Sequence, residues 1–361
     1  AAGSGKTAVL VERVLRMLTD PENPVSIDRL LIVTYTRAAA AQLKERISQK
    51  LSELILAYPD NRFYRRQLLM LPRAHISTVD SFCSDICREF FHELNIKRDY
   101  KIAEQGQLSV LSASALEETL NQLYEERNPD FYELVRCFSN SKSDRGLGEN
   151  IIKLYEFLRS HPFFDVWLDQ KLSYYTDFTS ASDSIWGQVI HKNAKRIIDY
   201  ALTLSEKNIE TAEAEPEFMS KVSTLLYRDK NYFDALNNSF DTVSWDEFRE
   251  LVYSFEAGVL SARGYKEHPV KLKVSANRDI LKSCVSELKE LFEASEQRCV
   301  EDIKALHPVV SQMFKCVRVY DEKYSQLKAQ KNLADFSDVE HWALELLVKH
   351  NGADVEFEYL D

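Results

Sequence analysis

The chain has 361 residues, 45% of them hydrophobic and 29% charged, and carries a formal net charge of −11. This length predicts two or three domains with real cores. No apolar run approaches the roughly 20 residues that a membrane-spanning helix needs, which argues against a membrane protein. The six cysteines are scattered, as is typical of reduced thiols in a cytoplasmic protein, and not of a disulfide framework or a metal cluster.

The charge is unevenly distributed along the chain. Residues 1–100 hold 15 Lys+Arg and 12 Asp+Glu, a net charge of +3, whereas the remainder holds 31 and 45, a net charge of −14. Binding to nucleic-acid phosphates needs a local basic groove rather than a basic protein. The asymmetry therefore permits DNA binding near the front of the chain without establishing it.

The chain opens with Ala1-Ala2-Gly3-Ser4-Gly5-Lys6-Thr7, the body of a phosphate-binding loop that ends in G-K-[ST]. Its glycines let the backbone from Ala2 onward wrap around phosphate oxygens. Lys6 would reach the β- and γ-phosphates, and the Thr7 hydroxyl would hold Mg²⁺. The loop therefore predicts ATP and Mg²⁺ as cofactors, with Lys6 and Thr7 as the catalytic residues.

The surroundings of the loop fit a nucleotide-binding α/β unit. An amphipathic helix follows, with Val11, Val14, Leu15 and Leu18 on one face. The apolar run at 30–33 then predicts a strand buried on both faces of a parallel sheet. The motif's first position and the strand that feeds it would precede Ala1, so we expect this chain to be a piece of a longer protein.

The predicted strand ends in Thr34-Tyr35-Thr36-Arg37, where open α/β sheets bind ligands. Thr34 and Thr36 are candidates for hydrogen bonds to DNA phosphates, and Tyr35 for stacking on a base. The alternative interpretation makes Thr36 a helix N-cap and Tyr35 a core residue. The spacing leaves both interpretations open.

A second strand is predicted at 75–79, with Thr78 and Ser81 at its carboxyl end and Asp80 as the cap of the next helix. Phe82, Ile86, Phe90 and Leu94 would form the apolar face of that helix. Residues 100–330 read as almost wholly helical, with two long helices at 277–305 and 308–331 broken at His307-Pro308.

Three stretches carry a family resemblance: AAGSGKT, LLIVTYTRAAAAQLKERI and HISTVDSFCSDICREF. Their order and spacing resemble the UvrD-type superfamily 1 DNA helicases, and most closely their AddA (RecB-like) members. The second stretch is similar to the family's TFTNAAAAEMKERI motif and the third to its T-x-x-S-F-C motif, both of which contact single-stranded DNA. The resemblance implies DNA-binding roles for Thr34, Tyr35, Thr36, Arg37, Thr78, Ser81 and Phe82.

The sequence also departs from the family pattern. Arg37 replaces the usual Asn and adds a cation near the implied DNA path, whereas Tyr35 replaces Phe and keeps a stacking surface. Residues 333–341 resemble the family's D-F-S-D-L-E element, and residues 155–162 resemble an AddA-type insertion. The acidic D-E-x-Q-D motif that would activate water is not in this sequence, so we expect activity of the longer parent and not of this piece alone.

The resemblance implies an α/β P-loop NTPase (RecA-like) subdomain with a large, mostly α-helical insertion. Residues 1–95 would be the partial ATP-binding domain, 96–331 the insertion and 332–361 the return to the helicase domain. The parent would be an ATP-dependent 3′–5′ DNA helicase of the AddA helicase/nuclease type, acting in double-strand-break repair and recombination. Its partners would be single-stranded DNA, the duplex junction and an AddB-like second subunit.

Two alternatives come from other functional classes. A P-loop kinase or signalling ATPase with a helical interaction insert predicts no DNA binding near Tyr35. A non-catalytic helical scaffold, in which the glycine-rich start is accidental, predicts no nucleotide binding at all.

Overall fold

The computed structural model describes residues 6–138, 143–349 and 358–359, which are mostly helical. The α-helices in these ranges are α1 (Lys6–Leu18), α2 (Arg37–Ala57), α3 (Arg62–Met70), α4 (Val79–Glu89), α5 (Gln105–Glu125), α6 (Pro129–Phe138), α7 (Arg145–Leu158), α8 (Phe164–Ser173), α9 (Ile185–Glu213), α10 (Pro216–Ser239), α11 (Trp245–Tyr253), α12 (Pro269–Leu291), α13 (Glu296–Gln330) and α14 (Phe336–Leu347). The strands are β1 (Leu31–Thr34), β2 (His75–Thr78), β3 (Lys101–Ile102), β4 (Leu333–Ala334), β5 (Val348–Lys349) and β6 (Glu358–Tyr359). Short 3₁₀ helices lie at Ile27–Arg29 and Leu71–Arg73.

The chain forms two compact units. The first unit contains Ala1–Asn128, Phe138–Val166 and Lys315–Asp361, and the second contains Pro129–Cys137 and Trp167–Phe314. Part of the segment predicted as an insertion, namely residues 96–128, 138–166 and 315–331, groups with the first unit. The boundaries proposed for the helicase domain itself stay a prediction.

The first unit is built around the parallel pair β1–β2, in which Ile32 lies opposite Ile76. Both side chains are buried, and they pack with the apolar stripes of α1 and α2. Val11, Val14 and Leu18 supply the α1 stripe, as the helical spacing predicts. The predicted order of helix, strand, helix and strand is confirmed.

The prediction that the first strand is buried on both faces is wrong for the described residues. Ile32 is 8% exposed, but its neighbours Leu31 and Val33 are 53% and 47% exposed. Side chains alternate between the two faces of a strand, and the apolar cluster with α1 and α2 lies on the face that carries Ile32. An apolar run alone does not show which faces are covered.

A second cluster in the first unit joins α4 to α14. Cys83 and Cys87 are buried against Tyr100, Val339 and Ala343. The predicted apolar face of α4 is confirmed in part: Phe82 and Leu94 pack against this cluster, but its centre is the cysteine pair and the helix ends at Glu89. Phe90, placed on that face by the sequence, is 44% exposed. The short parallel pair β3–β4 lies beside this cluster and leads into α14.

The second unit is a helical assembly in which α9 packs against α10 and α12. Its main core contains Ile198, Phe233, Phe248 and Leu288. The Arg278 guanidinium on α12 is paired with the buried Asp229 carboxylate on α10 at 2.6 Å. A buried ion pair is thus enclosed between two of the packed helices.

The predicted helix break at His307-Pro308 is wrong. The helix α13 continues through Pro308, and the break falls instead between α12 and α13, at residues 292–295. The Ser295 hydroxyl accepts a hydrogen bond from the Arg298 amide there, so a side-chain cap starts the new helix. Pro308 has no backbone N–H, so α13 lacks one hydrogen-bond donor at this position, but the helix continues on both sides of it.

Candidate nucleic-acid interface

The carboxyl ends of β1 and β2 meet at one edge, where Thr34 lies opposite Thr78. This is the position at which parallel sheets bind ligands. The two loops that the sequence assigned to DNA binding, 34–37 and 78–82, therefore emerge side by side. The structure brings the two sets of predicted residues together although about 40 residues separate them in the sequence.

Thr34 and Thr36 both form hydrogen bonds within their own loop. The Thr36 hydroxyl accepts from the Ala39 amide at 3.1 Å and is the N-cap of α2, and the Thr34 hydroxyl donates to the Thr36 carbonyl oxygen at 2.9 Å. The cap interpretation of Thr36 is thus confirmed. Both threonines hold the start of α2 in place, so any contact they make with a phosphate comes in addition to this role.

Tyr35 is fully exposed, at 104% of its reference accessible surface, which removes the interpretation of Tyr35 as a core residue. Arg37, the first residue of α2, is also exposed. Among the described residues it makes no ion pair. An aromatic ring and a cation two residues apart are the two group types that single-strand binders combine.

Thr78, and not Asp80, is the N-cap of α4, which corrects the sequence prediction. Its hydroxyl accepts from the Ser81 amide at 3.2 Å and donates to the Ser81 Oγ at 2.9 Å. Thr78 is 8% exposed and both of its hydrogen-bonding roles are used inside the protein. Asp80 lies two residues after Thr78, inside the first turn of α4, whereas the extended residue that precedes the helix is Thr78. The Ser81 hydroxyl keeps its own proton available for an external acceptor.

Two adjoining clefts lie beside these loops, and Arg37 and Ser81 line both of them. The larger has a volume of about 270 Å³ and also contacts Lys44 and Thr78. The smaller, of about 150 Å³, also contacts Arg88. We call them the strand-edge cleft and the α4 cleft. Together they place three cations and the Ser81 hydroxyl at the carboxyl edge of β1–β2.

Phe82 does not line either cleft. It packs against the α4–α14 cluster, and its ring meets the His75 ring edge-on with centroids 5.6 Å apart. The resemblance implies that Phe82 contacts DNA, and this contact stays a prediction. In the structure the Phe82 ring packs inside the protein and does not face either cleft.

Sequence reasoning did not single out Lys44 and Arg88. Lys44 lies seven residues after Arg37 on α2, and Arg88 lies seven residues after Ser81 on α4. A spacing of seven returns to the same helix face. The Lys44 ammonium donates to the Pro72 carbonyl oxygen at 3.1 Å, and the Arg88 guanidinium lies over the Tyr100 ring at 5.1 Å. Extending the helical spacing past each motif would have predicted that Lys44 shares a helix face with Arg37, and Arg88 with Ser81.

The predicted phosphate-binding loop lies largely outside the described residues. Ala2, Gly3, Ser4 and Gly5 precede them, and the side chain of Lys6 is likewise outside them. α1 begins at Lys6, carries an exposed Thr7 and has no acidic residue in its first turn. A helix start free of carboxylates fits an anionic ligand, because the helix dipole and free amides favour negative charge there.

The sequence matches the UvrD/REP helicase N-terminal domain over residues 1–358. The chain belongs to this helicase family. UvrD-type helicase domains are P-loop NTPases, so the predicted fold class is confirmed at that level, together with its mostly helical character.

Similar proteins are named as subunits of an ATP-dependent helicase/nuclease. The one from Acetivibrio thermocellus is 33% identical over 356 residues, which cover 97% of this chain and 28% of that protein. The one from Lachnoclostridium phytofermentans is 33% identical over 356 residues, covering 96% and 26%. The one from Alkaliphilus oremlandii is 32% identical over 368 residues, covering 100% and 30%. The chain thus spans between a quarter and a third of the length of these relatives.

Two further observations concern the described part of this UvrD/REP-type domain. None of its helices combines the length and apolarity needed to cross a membrane. No group of three or more His, Cys, Asp or Glu side chains is arranged there to hold a metal ion.

Proposed function

We propose that this chain is the ATP-binding N-terminal part of an ATP-dependent 3′–5′ DNA helicase of the AddA helicase/nuclease type. One observation carries the proposal. The fully exposed Tyr35 and the exposed cation of Arg37 lie at the carboxyl edge of a parallel strand pair, inside a sequence that matches a UvrD-type helicase domain over residues 1–358. The kinase and scaffold alternatives give no reason for an exposed aromatic and a cation at this edge.

ATP and Mg²⁺ are the proposed cofactors. Residues 2–5 would wrap the phosphates, the Lys6 ammonium would neutralise the β- and γ-phosphates, and the Thr7 hydroxyl would hold Mg²⁺. The start of α1 fits this role because its first turn carries no competing carboxylate. When bound, the nucleotide supplies the free energy for movement along DNA.

Single-stranded DNA is the proposed substrate at the strand edge. Tyr35 would stack on a base, whereas Arg37, Lys44 and Arg88 would face phosphates from the two clefts. Ser81 would donate its remaining hydroxyl proton to a phosphate oxygen, held in position by Thr78. Thr34 and Thr36 would fix the loop that presents Tyr35.

The proposed domain arrangement follows the resemblance. Residues 1–95 and 332–361 would form part of the RecA-like motor domain, and 96–331 its mostly helical insertion, near the junction of duplex and single strand. The parent would act in double-strand-break repair and recombination with an AddB-like companion subunit. The relatives' name, which describes each as one subunit of a helicase/nuclease, supports both a nuclease and a companion in those proteins.

The decisive experiment measures unwinding and ATP hydrolysis by the full-length protein. Duplexes with a 3′ single-stranded tail should be unwound with ATP, and duplexes with a 5′ tail should not. ATP hydrolysis should rise on addition of single-stranded DNA. ATP hydrolysis that does not respond to any DNA would contradict the helicase proposal and favour the kinase or signalling class.

A further inference from the structure

The second unit contains a groove of about 900 Å³ between residues 193–200 of α9 and residues 280–291 of α12, which we call the α9–α12 groove. Its floor is apolar, because Ile197 and Leu291 pack on the main core of the unit and Cys284 is 5% exposed. Its lining residues belong neither to the nucleotide site nor to the DNA site proposed above. The groove therefore needs an explanation of its own.

The walls of this groove carry apolar side chains that are in contact with solvent. Tyr200 on α9 is 53% exposed, and Ile280 on α12 is 40% exposed. The same face of α9 continues with Val189 and Trp186, one and two turns before Asn193, which are 53% and 41% exposed. An apolar face rimmed by polar side chains is typical of a surface on which another protein docks.

Charged side chains stand on both rims of the groove. Arg196 lies on the α9 rim, and Glu287 and Glu290 lie on the α12 rim. Within the described part of the chain, none of these three forms an ion pair. Asp199, which also lines the groove, is 3.0 Å from the Lys195 ammonium. The groove thus offers an unpaired cation on one side and two unpaired carboxylates on the other.

We propose that the α9–α12 groove binds an amphipathic helix of the companion subunit, with basic side chains on its flank toward α12 and an acidic side chain on its flank toward α9. This inference rests on the proposed function, which includes a companion subunit. The arrangement of charge on the two rims dictates that of the partner, because unlike charges attract and like charges repel across an interface. Nucleic acid does not fit, since the carboxylates of Glu287 and Glu290 repel phosphates.

The shape of the groove favours a helix over an extended segment. The backbone groups of α9 and α12 bond within their own helices, so an extended segment would lie between apolar walls with its amides and carbonyls unpaired. A helix pairs its own backbone groups and can fit its side chains between those of two packed helices. From Asn193 to Tyr200 the groove follows α9 for about 10 Å, or two helical turns. Two or three apolar side chains of the docked helix would fill this length.

The first test measures the affinity of the full-length protein for the purified, fluorescently labelled companion subunit. In the double variant Glu287→Lys and Glu290→Lys, two cations would face the basic flank of the docked helix, and affinity should fall by about 10- to 100-fold. Glu210→Lys with Glu213→Lys is the matched control. It makes the same change of charge at two exposed positions of α9 outside the groove, so it should bind like the wild type.

A second pair of variants tests the apolar walls. Tyr200→Ser with Ile280→Ser removes both exposed side chains, and affinity for the companion subunit should fall by about 10-fold or more, because aromatic side chains dominate many interfaces. Val259→Ser is the control, since Val259 is 86% exposed in the same unit and does not line the groove. Unchanged affinity in both the charge and the wall variants would overturn the proposal.

Cross-linking identifies the occupant without disturbing the charges or the walls. The photoreactive residue p-benzoylphenylalanine is placed at Ser283, which lines the groove, or at Ser286, which is exposed on α12 outside it. Only the first should cross-link to the companion subunit, and the peptide recovered should have apolar residues spaced three or four apart, with Lys or Arg on one flank. Cross-links from Ser283 to a second copy of this chain or to another part of the same chain would overturn the proposal, and so would none at all.

The outcomes also separate this inference from the proposed function. If the wild-type protein binds the companion subunit and the groove variants bind it equally well, the subunit docks elsewhere and only this inference is wrong. If the wild type unwinds DNA but does not bind the companion subunit, the docking site and the companion are both wrong, and the helicase assignment stands. The helicase assignment is tested by unwinding, whereas docking is measured without ATP or DNA.

Discussion

The Arg159 guanidinium lies 3.0 Å from the Asp338 carboxylate and joins the C-terminal end of α7 to the first turn of α14. The two side chains are 13% and 8% exposed, and the Lys328 ammonium from α13 contacts the same carboxylate and that of Asp335. Burial alone would raise the pKa of the Asp335 carboxyl. The Lys328 charge and the hydrogen bonds to this carboxylate lower the pKa by more than burial raises it, so it lies below the ordinary value. The cations of Arg159 and Lys328 thus neutralise the carboxylates of Asp335 and Asp338 at the start of α14.

Loss of one cation from this cluster should destabilise the first unit. In Lys328→Met the buried Asp338 carboxylate keeps only Arg159 and the half-buried Asp335 carboxylate loses its cation, so the free energy of unfolding should fall by about 3–5 kcal/mol. Lys50→Met removes a lysine from an exposed pair with Glu53 and should leave the melting temperature nearly unchanged. Thermal unfolding of both variants makes the comparison, and equal melting temperatures would show that the cluster does not stabilise the fold.

His341 should make stability depend on pH. Its Nε2–H donates to the Arg159 carbonyl oxygen at 3.0 Å, and burial together with the Arg159 charge lowers the pKa of His341 below its ordinary value of 6.5. Below that pH the unfolded chain takes up a proton that the folded chain refuses, so the free energy of unfolding falls as the pH falls. The loss stops below the folded-state pKa, where both states are protonated.

The check on His341 is a series of thermal melts between about pH 7.5 and pH 5, a range in which histidine titrates. His341→Gln keeps an N–H donor and cannot titrate, so its melting temperature should depend less on pH than that of the wild type. His191→Gln, which replaces an exposed histidine 3.0 Å from the Asp241 carboxylate, is the control for a histidine substitution at the surface. A wild-type pH profile in the His341→Gln variant would contradict the linkage.

The second unit offers a test of its buried ion pair. Arg278 and Asp229 are 3% and 4% exposed, and Arg278→Met leaves the Asp229 carboxylate buried without a cation. The free energy of unfolding should fall by about 3–5 kcal/mol, and Asp229→Leu in the same chain should recover most of it, since two apolar residues need no partner. Lys282→Met on the same helix interrupts the exposed pair with Asp279 and is the control. A double variant as unstable as the single one would mean that packing, not charge, causes the loss.

Tyr35→Ala and Arg37→Ala should weaken DNA binding in different ways. Loss of a stacked ring should cost about 1–3 kcal/mol of single-strand affinity at any salt concentration. Loss of a phosphate contact should also lower the slope of log affinity against log salt by up to about one. Because Tyr35 is fully exposed, the melting temperature should not change. Fluorescence titrations at several salt concentrations separate the two effects, and normal binding by Tyr35→Ala would remove it from the site.

Lys6→Ala should abolish ATP-driven unwinding by the full-length protein, because the nucleotide phosphates lose their fixed cation. Binding of single-stranded DNA without nucleotide should remain, since Tyr35 and Arg37 are unchanged. Strand-displacement assays with a fluorescent duplex measure the first effect and titration measures the second. Unwinding at the wild-type rate by Lys6→Ala would contradict the assignment of the phosphate-binding loop.

The features that the sequence predicted correctly depend on short-range relationships. The stripe of α1 and the order of the first helices and strands each involve residues within a few helical turns. For Thr36, the spacing offered the cap only as one of two open interpretations. The helicase motifs are also short, and their order along the chain was enough to indicate the family that the comparison confirms. Hydrophobic periodicity and short motifs involve residues that are close in the sequence, so they can be read from one sequence without knowledge of the tertiary structure.

The errors have a common cause in long-range packing. Three features depend on the elements that pack nearby. They are the buried face of β1, the residues at the centre of the buried face of α4, and the position of the break between α12 and α13. The exposure of Tyr35 was left open for the same reason. Apolar patterns show that a side chain prefers burial, and the tertiary structure decides which of those preferences is satisfied.

By itself the sequence predicted a phosphate-binding loop and two strand ends rich in hydroxyls, and it indicated the family that the comparison confirms. Only the tertiary structure decided that Thr78 and not Asp80 caps α4, that Arg159 pairs with Asp338, and that Phe336 meets Arg37 in one cleft. The reason is distance along the chain. Arg159 and Asp338 are 179 residues apart, and no periodicity connects them, because their contact exists only after α7, α13 and α14 have packed.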